Sequence, residues 1–347
     1  STPTPDRVFL AAEVLRRGVA VGAVAAATRY DPWFVDQMQQ IVALRTMVED
    51  APWNTELLRA AKRSGFSDGQ LAHLWNGTAE DVAAARRSTG IVTTYKTVDT
   101  CAAEFVATTP YFYGTFEEET EAPPAGERTV IVLGSGPNRI GQGIEFDYCC
   151  VHASLELAAA GYEPVMVNCN PETVSTDYDT SSRLYFEPLT AEDVLAVIEQ
   201  EDPVAVILQL GGQTPLSLAD ALEAAGVPIA GTTPDAIALA EDRRRFSELC
   251  EQLGVAQPDS GTAMNPVEAE GIAEDIGFAV LMRPALVLGG RAMRIVVDIE
   301  ELREYVGERY ASSHGELALG RYTLLIDRFL ESSIEVDVVA FCDGTDV

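Results

Sequence analysis

A run of β-branched and aliphatic side chains, Thr129-Val130-Ile131-Val132-Leu133, stops abruptly at Gly134. Such a run has no polar face, so it predicts a strand buried on both sides, as in a parallel sheet. Gly136, Gly141 and Gly143 follow closely and predict a glycine-rich loop. Glu145 to Ala160 then reads as a helix, closed by Gly161. Pro164 to Asn168 is a second strand, leading into the polar loop from Cys169 to Asp179. Strand, helix and strand in this order, with ligand-sized loops at the strand ends, predict a βαβ unit with a crevice at the carboxyl edge of its sheet. A dinucleotide site would need G-x-G-x-x-G and an acidic residue ending the second strand. Arg139 takes the third glycine position and Asn168 the acidic one, which argues against a Rossmann oxidoreductase.

On either side of this unit the pattern changes. Arg7 to Gly18 reads as a helix with Val8, Ala11, Ala12 and Leu15 on one stripe. Asp31-Pro32 is a helix start, opening a segment with Phe34, Met38, Ile41, Val42 and Leu44. Asn54 or Thr55 opens another, containing Leu57, Leu58 and Ala61, and Ser67-Asp68 and Thr78-Ala79-Glu80-Asp81 are two more N-terminal caps. The segment to about Gly90 is thus a bundle of short helices without a catalytic constellation, a packing or association module. Val92 to Glu121, with Tyr111, Phe112, Tyr113 and Phe116, reads as a connector ending at the boundary Glu121-Ala122-Pro123-Pro124-Ala125-Gly126. The α/β domain continues with a third strand, Ala205 to Leu208, the loop Gly211 to Pro215, a helix from Leu216 to Ala225 and a short edge strand, Val227 to Ala230. From Asp235 helices alternate with short strands. Asp235 to Leu253 reads as one helix with Arg243, Arg244 and Arg245 near its middle. Pro266 to Ile276 and Ile299 to Tyr310 are further helices. Ala279 to Met282, Arg294 to Val297, Leu324 to Ile326 and Ile334 to Ala340 are strands, with a glycine turn at Gly289-Gly290-Arg291.

The chain has 347 residues, enough for two or three domains with cores of their own. Mean hydropathy is +0.05 and no apolar run approaches the roughly 20 residues a membrane helix needs. No basic-then-apolar leader precedes the first helix, so no secretion and no membrane are expected. Six cysteines show neither a CxxC pair nor disulfide-framework spacing, and the three histidines are far apart. Reduced, inert thiols in a cytoplasmic protein are expected, and a zinc site has no support. Cys149 and His152 share a helix face, so a thiol dyad is a minor alternative. Net charge is −30, and of 24 basic residues only Lys62 and Lys96 are lysine. The acid is dispersed and there is no basic patch, so no nucleic acid is expected. Dispersed acid with almost no lysine suits a halophile's cytoplasm; a GC-rich genome that replaced lysine with arginine is the alternative.

The segments GPNRIGQGIEFDYCCVHAS, VNCNPETVSTDYDTSSRLYFEP and GGQTP closely resemble the carbamoyl-phosphate synthetase large-subunit family, at the start of its second synthetase half. The resemblance runs from near Asp6 to the end. Two departures are Ser135, where a third glycine is common, and Ala285-Leu286, where Ser-Tyr is common. It implies an α/β fold class with an all-α N-terminal domain: residues 1–122 a helical oligomerisation domain and connector, 123–234 a pre-ATP-grasp domain with an open parallel sheet, and 235–347 the truncated first lobe of an ATP-grasp domain. The chain would be an internal fragment, inactive by itself, of an enzyme that uses ATP to phosphorylate carbamate to carbamoyl phosphate for arginine and pyrimidine synthesis. The resemblance assigns ATP to Arg243, Arg283, Gly289, Gly290, Arg328, Leu330 and Glu335. A solvated helix face is the rival for Arg243 and a surface ion pair for Arg283. Arg291 is a candidate catalytic residue facing substrate. Asn138, Arg139, Gln142, Glu145, Asn170, Thr173 and Gln213, with Asn168 beside them, would line the carbamate site and tunnel mouth, against the alternative of loop-stabilising hydrogen bonds. Mg²⁺ (or Mn²⁺) would have its ligands beyond Val347 and no metal ligand within the chain. A glutaminase small subunit and further copies of the chain would be the partners. Another ATP-grasp ligase or carboxylase, or a non-catalytic assembly module, are the rivals.

Overall fold

Ser67 and Thr78 open helices as their sequence signals require. The Ser67 hydroxyl accepts the Gln70 N–H at 3.0 Å, the Gln70 side chain accepts the Ser67 N–H at 2.9 Å, and Thr78 and Asp81 exchange the same pair of bonds. These are two of six helices in the N-terminal bundle: α1 (Arg7–Arg16), α2 (Val21–Thr28), α3 (Pro32–Asp50), α4 (Thr55–Arg63), α5 (Asp68–Trp75) and α6 (Ala79–Ser88). The computed structural model describes residues 4, 6–124, 126–138, 144–284, 293–312, 323–334, 336, 338, 340, 342 and 345, without the side chains of 243, 244 and 308–312. α1, α2 and the start of α3 close over Ala11, Leu15, Val24, Ala25 and Val35. The end of α3 joins α4 to α6 over Val48, Leu58, Ala61, Leu71, Trp75, Val82 and Ile91. The stripes expected in α1 and α3 need correction: Val8, Phe34 and Ile41 are exposed, and on α3 Val35 and Val48 carry the burial.

The chain then builds a six-stranded sheet: β1 (Thr94–Thr97), β2 (Tyr111–Thr115), β3 (Thr129–Leu133), α7 (Ile144–Ala159), β4 (Glu163–Asn168), β5 (Arg183–Phe186), α8 (Ala191–Glu201), β6 (Ala205–Ile207), and the short helices α9 (Gln213–Leu216) and α10 (Ala219–Ala224). Strand order is β1-β2-β5-β4-β3-β6. The residues read as a connector therefore supply two strands. β2 lies parallel to β5, with Tyr111 opposite Leu184, and β1 pairs antiparallel with β2 at the edge, so the sheet is not purely parallel. β3 is buried at every position, as its all-apolar run requires. Val227 to Ala230 forms no strand, only a single parallel bridge between Val206 and Ile229, and the helix expected from Leu216 to Ala225 is split in two.

By contacts the chain divides into two units, residues 1–137 with 144–232, and residues 138–143 with 233–347. The second contains α11 (Pro234–Glu241), α12 (Arg243–Leu253), β7 (Ser260–Ala263), α13 (Pro266–Ile276), β8 (Val280–Pro284), β9 (Arg294–Val296), α14 (Ile299–Ser312) and β10 (Leu324–Arg328). Its four strands are antiparallel in the order β7-β10-β8-β9, and α13 and α14 help to enclose Ala269, Ala273, Val280, Met282, Leu302, Tyr305, Leu324 and Ile326. The single helix expected from Asp235 to Leu253 is broken at Asp242, whose backbone is extended and whose carboxylate accepts the Arg245 N–H at 2.9 Å. Arg243 to Arg245 thus form the first turn of α12 and not the middle of a helix. Three of the seven residues of the strand expected from Ile334 to Ala340 lie outside the described residues; Ile334, Val336 and Val338 are exposed.

Candidate functional site

The carboxyl ends of β3, β4 and β6 stand side by side, which brings the loops after Leu133, Asn168 and Ile207 to one edge of the sheet. Asn168 ties the first two of them together. It is fully buried; its Oδ1 accepts the N–H groups of Gly136 at 3.0 Å and Cys169 at 2.9 Å, and its Nδ2 donates to Ser175 Oγ at 3.0 Å. The Ser175 N–H donates in turn to Asp147 Oδ2 of α7 at 2.9 Å, and Ser175 and Asp147 are also buried. Gly134 must be glycine here, since a Cβ would stand 2.5 Å from the Asn168 amide nitrogen. The expectation that Asn168 lines the crevice is therefore corrected: its amide ties the loops from inside, because every one of its polar atoms is used.

The other crevice candidates are less committed. Glu145 and Asn138 are exposed. Asn170 Oδ1 accepts the Glu172 N–H at 3.0 Å and the Thr173 carbonyl accepts from Thr176, so both residues shape the loop after β4. Gln213 is half-buried where α9 begins, beyond β6. Arg139 and Gln142 lie outside the described residues. Among the described residues no hydrogen bond joins Cys149 to His152, so the thiol alternative gains no support. Cys150 is buried and donates toward the Leu133 carbonyl at 3.6 Å; burial, with Asp147 adding to it, pushes its thiol up to about 12. Cys149 is exposed, and the His152 ring lies against Tyr148 at 4.2 Å.

In the second unit Arg283 sits near the end of β8. Its Nε donates to Asp327 Oδ2 of β10 at 3.2 Å, and Nη2 lies 3.1 Å from the same oxygen. This is the surface ion pair that rivalled a phosphate contact, yet both contacts go to one oxygen, so Nη1 is not engaged by it. Arg328 takes a different course. Arg283 stands opposite Leu325 in the ladder and Arg328 opposite Val280, so the two arginines project from opposite faces of the sheet. Arg328 Nη1 donates to the Ile276 carbonyl at 3.3 Å and lies 3.5 Å from Asp259 Oδ2. Leu330 is half exposed. Gly289, Gly290, Arg291 and Glu335 lie outside the described residues, as does the side chain of Arg243. Among the described residues no three His, Cys, Asp or Glu side chains gather as a metal ion requires.

Two buried ionic networks escaped the sequence reading. Arg183 pairs with Glu201 at 2.8 Å, and the Tyr185 hydroxyl also donates to Glu201. Lys62 pairs with Asp68 at 2.9 Å and with Glu192, while Arg86 pairs with Asp68 at 2.9 Å. Burial pushes the Asp68 carboxyl up, but Arg86 and then Lys62 hold it below its ordinary value. The rarity of lysine was the one signal that could have singled out Lys62.

Sequence-family models cover nearly the whole chain. Residues 1–90 match the oligomerisation domain of the carbamoyl-phosphate synthetase large chain, residues 126–239 the carbamoyl phosphate synthase preATP-grasp domain, and residues 242–347 the carbamoyl-phosphate synthase L chain ATP binding domain. With the folds above, they define an ATP-grasp protein: a pre-ATP-grasp sheet followed by part of an ATP-grasp domain. The carbamoyl phosphate synthase large chain of Archaeoglobus fulgidus is 51% identical over 99% of this chain, and that of Myxococcus xanthus 52% identical over 99%. The chain belongs to the carbamoyl-phosphate synthase large-chain family, and it spans about a third of the length of these relatives, 32% of each. Among solved structures, the biotin carboxylase domain of a 2-oxoglutarate carboxylase from Hydrogenobacter thermophilus matches 59% of this chain and 44% of its own, at 24% identity and a TM-score of 0.45.

Proposed function

We propose that the chain supplies the start of the synthetase half that transfers the γ-phosphoryl group of ATP to carbamate, forming carbamoyl phosphate for arginine and pyrimidine synthesis. The observation that carries this reading is the match to three successive segments of one family, in family order, at about half identity. The protein's work in such a transfer is positioning and neutralisation of charge. Arg283, oriented by Asp327, presents the remaining edge of its guanidinium to phosphate oxygens. The backbone after β10, from Arg328 to Leu330, borders the adenine; because the Arg328 side chain leans on α13, its part is structural support of that edge. Gly289 and Gly290 would bring backbone N–H groups to the phosphates, Arg243 would reach the nucleotide, Arg291 would face substrate and Glu335 would hold the ribose. Glu145, Asn170, Thr173 and Gln213 of the first unit would guide and hold carbamate, the role that the family resemblance also gives to Asn138, Arg139 and Gln142. A divalent cation, when bound with ATP, supplies further charge neutralisation; the described residues do not form a ligand set for it, and no role here passes through one. Residues 1–90 would join copies of the chain, and a glutaminase subunit would deliver ammonia to the whole enzyme, in the cytoplasm.

The test is a thermal-shift titration with Mg-ATP, with NADH as control, in dilute buffer and in concentrated KCl. ATP at a hundred times its dissociation constant is expected to add about 2.7 kcal/mol to the stability of the second unit. Arg283→Ala should lose most of that gain while melting normally without ligand. A shift with NADH and none with ATP would overturn the reading, and a shift confined to high salt would support a halophilic origin.

A further inference from the structure

Outside these sites, one buried carboxyl lacks a cation. Glu187 directly follows β5 and is 7% exposed, and its Oε1 accepts the backbone N–H of Gly114 in β2. The approach is so close that a Cβ on Gly114 would stand 2.6 Å from that oxygen. Of the other buried acids among the described residues of this unit, Glu201 has Arg183 and Asp68 has Lys62 and Arg86, while Asp147 accepts the Ser175 N–H. Among the described residues no ion pair reaches Glu187.

Its surroundings make the deficit worse. From α8, Asp193 faces it with a like charge. From β1, Tyr95 contributes a hydroxyl that is buried and makes no hydrogen bond, and Glu199 and Glu201 of α8 add their charge around that ring. Lys62 of α4 favours the charged form of Asp193, and Asp68 of α5 opposes it, but Lys62 itself is already bound by Asp68 and Glu192. A carboxylate taken out of water with one backbone donor and no cation is better accommodated as the neutral acid. Burial first, with Asp193 adding and the Gly114 N–H opposing, pushes the Glu187 carboxyl up to about 7.

We propose that Glu187 is a proton-operated latch at the joint between the β2–β5 edge, the first turn of α8 and the helical bundle. With the proton on, the joint is closed. With the proton gone, the joint opens to hydrate the carboxylate. The first turn of α8 also carries Glu192, which Lys62 and the Asp68 N–H hold, so opening there reaches α4 and α5 directly.

The sign follows from linkage. In the open state Glu187 meets water and has its ordinary value, about 4.3, well below that in the closed state. The closed joint is therefore most stable below the ordinary carboxylate range, and that stability is lost as pH rises toward about 7. Native-state amide exchange on the whole chain between pH 5 and 8, corrected for intrinsic exchange, tests it at Gly114, the first turn of α8 and α4. Protection should fall roughly tenfold per pH unit up to about pH 7 and then level off. Glu187→Gln keeps an acceptor for the Gly114 N–H without the charge and should give a flat profile. Asp193→Asn removes the facing anion and should move the levelling-off to lower pH, which keeps the test available if the first variant does not fold. Protection independent of pH in the wild type, or the same slope in Glu187→Gln, would overturn the proposal.

Discussion

At the scale of single residues, Asn168 shows how a polar side chain at the mouth of a crevice can belong to the scaffold. Its amide serves Gly136, Cys169 and Ser175 at once, tying the loop after β3 to the loop after β4. Asn168→Ala would leave buried donors and an acceptor unpaired, and about 3 kcal/mol of unfolding free energy should disappear in urea titrations. Asn170→Ala, which loses one local turn contact, should cost less than about 1 kcal/mol. From the sequence Asn168 could be recognised as the residue that replaces an expected acid. Its inward direction could not, because it depends on Gly136, Ser175 and Asp147, which only the closed fold brings together. Arg283 was equally half legible. Its place at a strand end was clear from the Arg-Pro pair, whereas Asp327 becomes its neighbour through the β8–β10 register.

At the scale of elements, what could be read were the ends. Helices begun by Asp31, Asn54, Ser67 and Thr78 start where those side chains accept a backbone N–H. α2 passed unread because Ala20 precedes it and offers no such acceptor. β5 passed unread because Arg183 breaks its apolar pattern; Glu201 on α8 is what makes that arginine tolerable inside. The split at Asp242 is hidden in the sequence because the helical pattern on both sides outweighs one capping residue. Thr78→Ala should lower stability by about 1 kcal/mol in thermal or urea unfolding. The same change should release Asp81, whose carboxyl the Thr78 hydroxyl and N–H hold below its ordinary value. An NMR titration would then show the Asp81 midpoint rising. In the wild type this contribution is present above the ordinary carboxylate range and is lost as pH falls through the lowered value.

At the scale of the whole molecule, Lys62 joins what the sequence presented as separate pieces. It is 4% exposed on a bundle helix and reaches both Asp68 in the bundle and Glu192 on a helix of the sheet domain. Lys62→Ala should cost about 3–5 kcal/mol, since it strands Glu192 and half of Asp68, and a double-mutant cycle with Glu192→Gln should recover part of it as coupling energy. The strand order has a different consequence, for the order in which the protein is made. The antiparallel pair of β1 and β2 leaves the ribosome before β3, yet its parallel neighbour is β5; Gly114 and Glu187, which meet across that seam, are 73 residues apart in the chain. During synthesis one edge of the early hairpin therefore stays open while two strands and a long helix are still being added. The pair of strands made first can therefore be seated only after β3, β4 and β5 have been added.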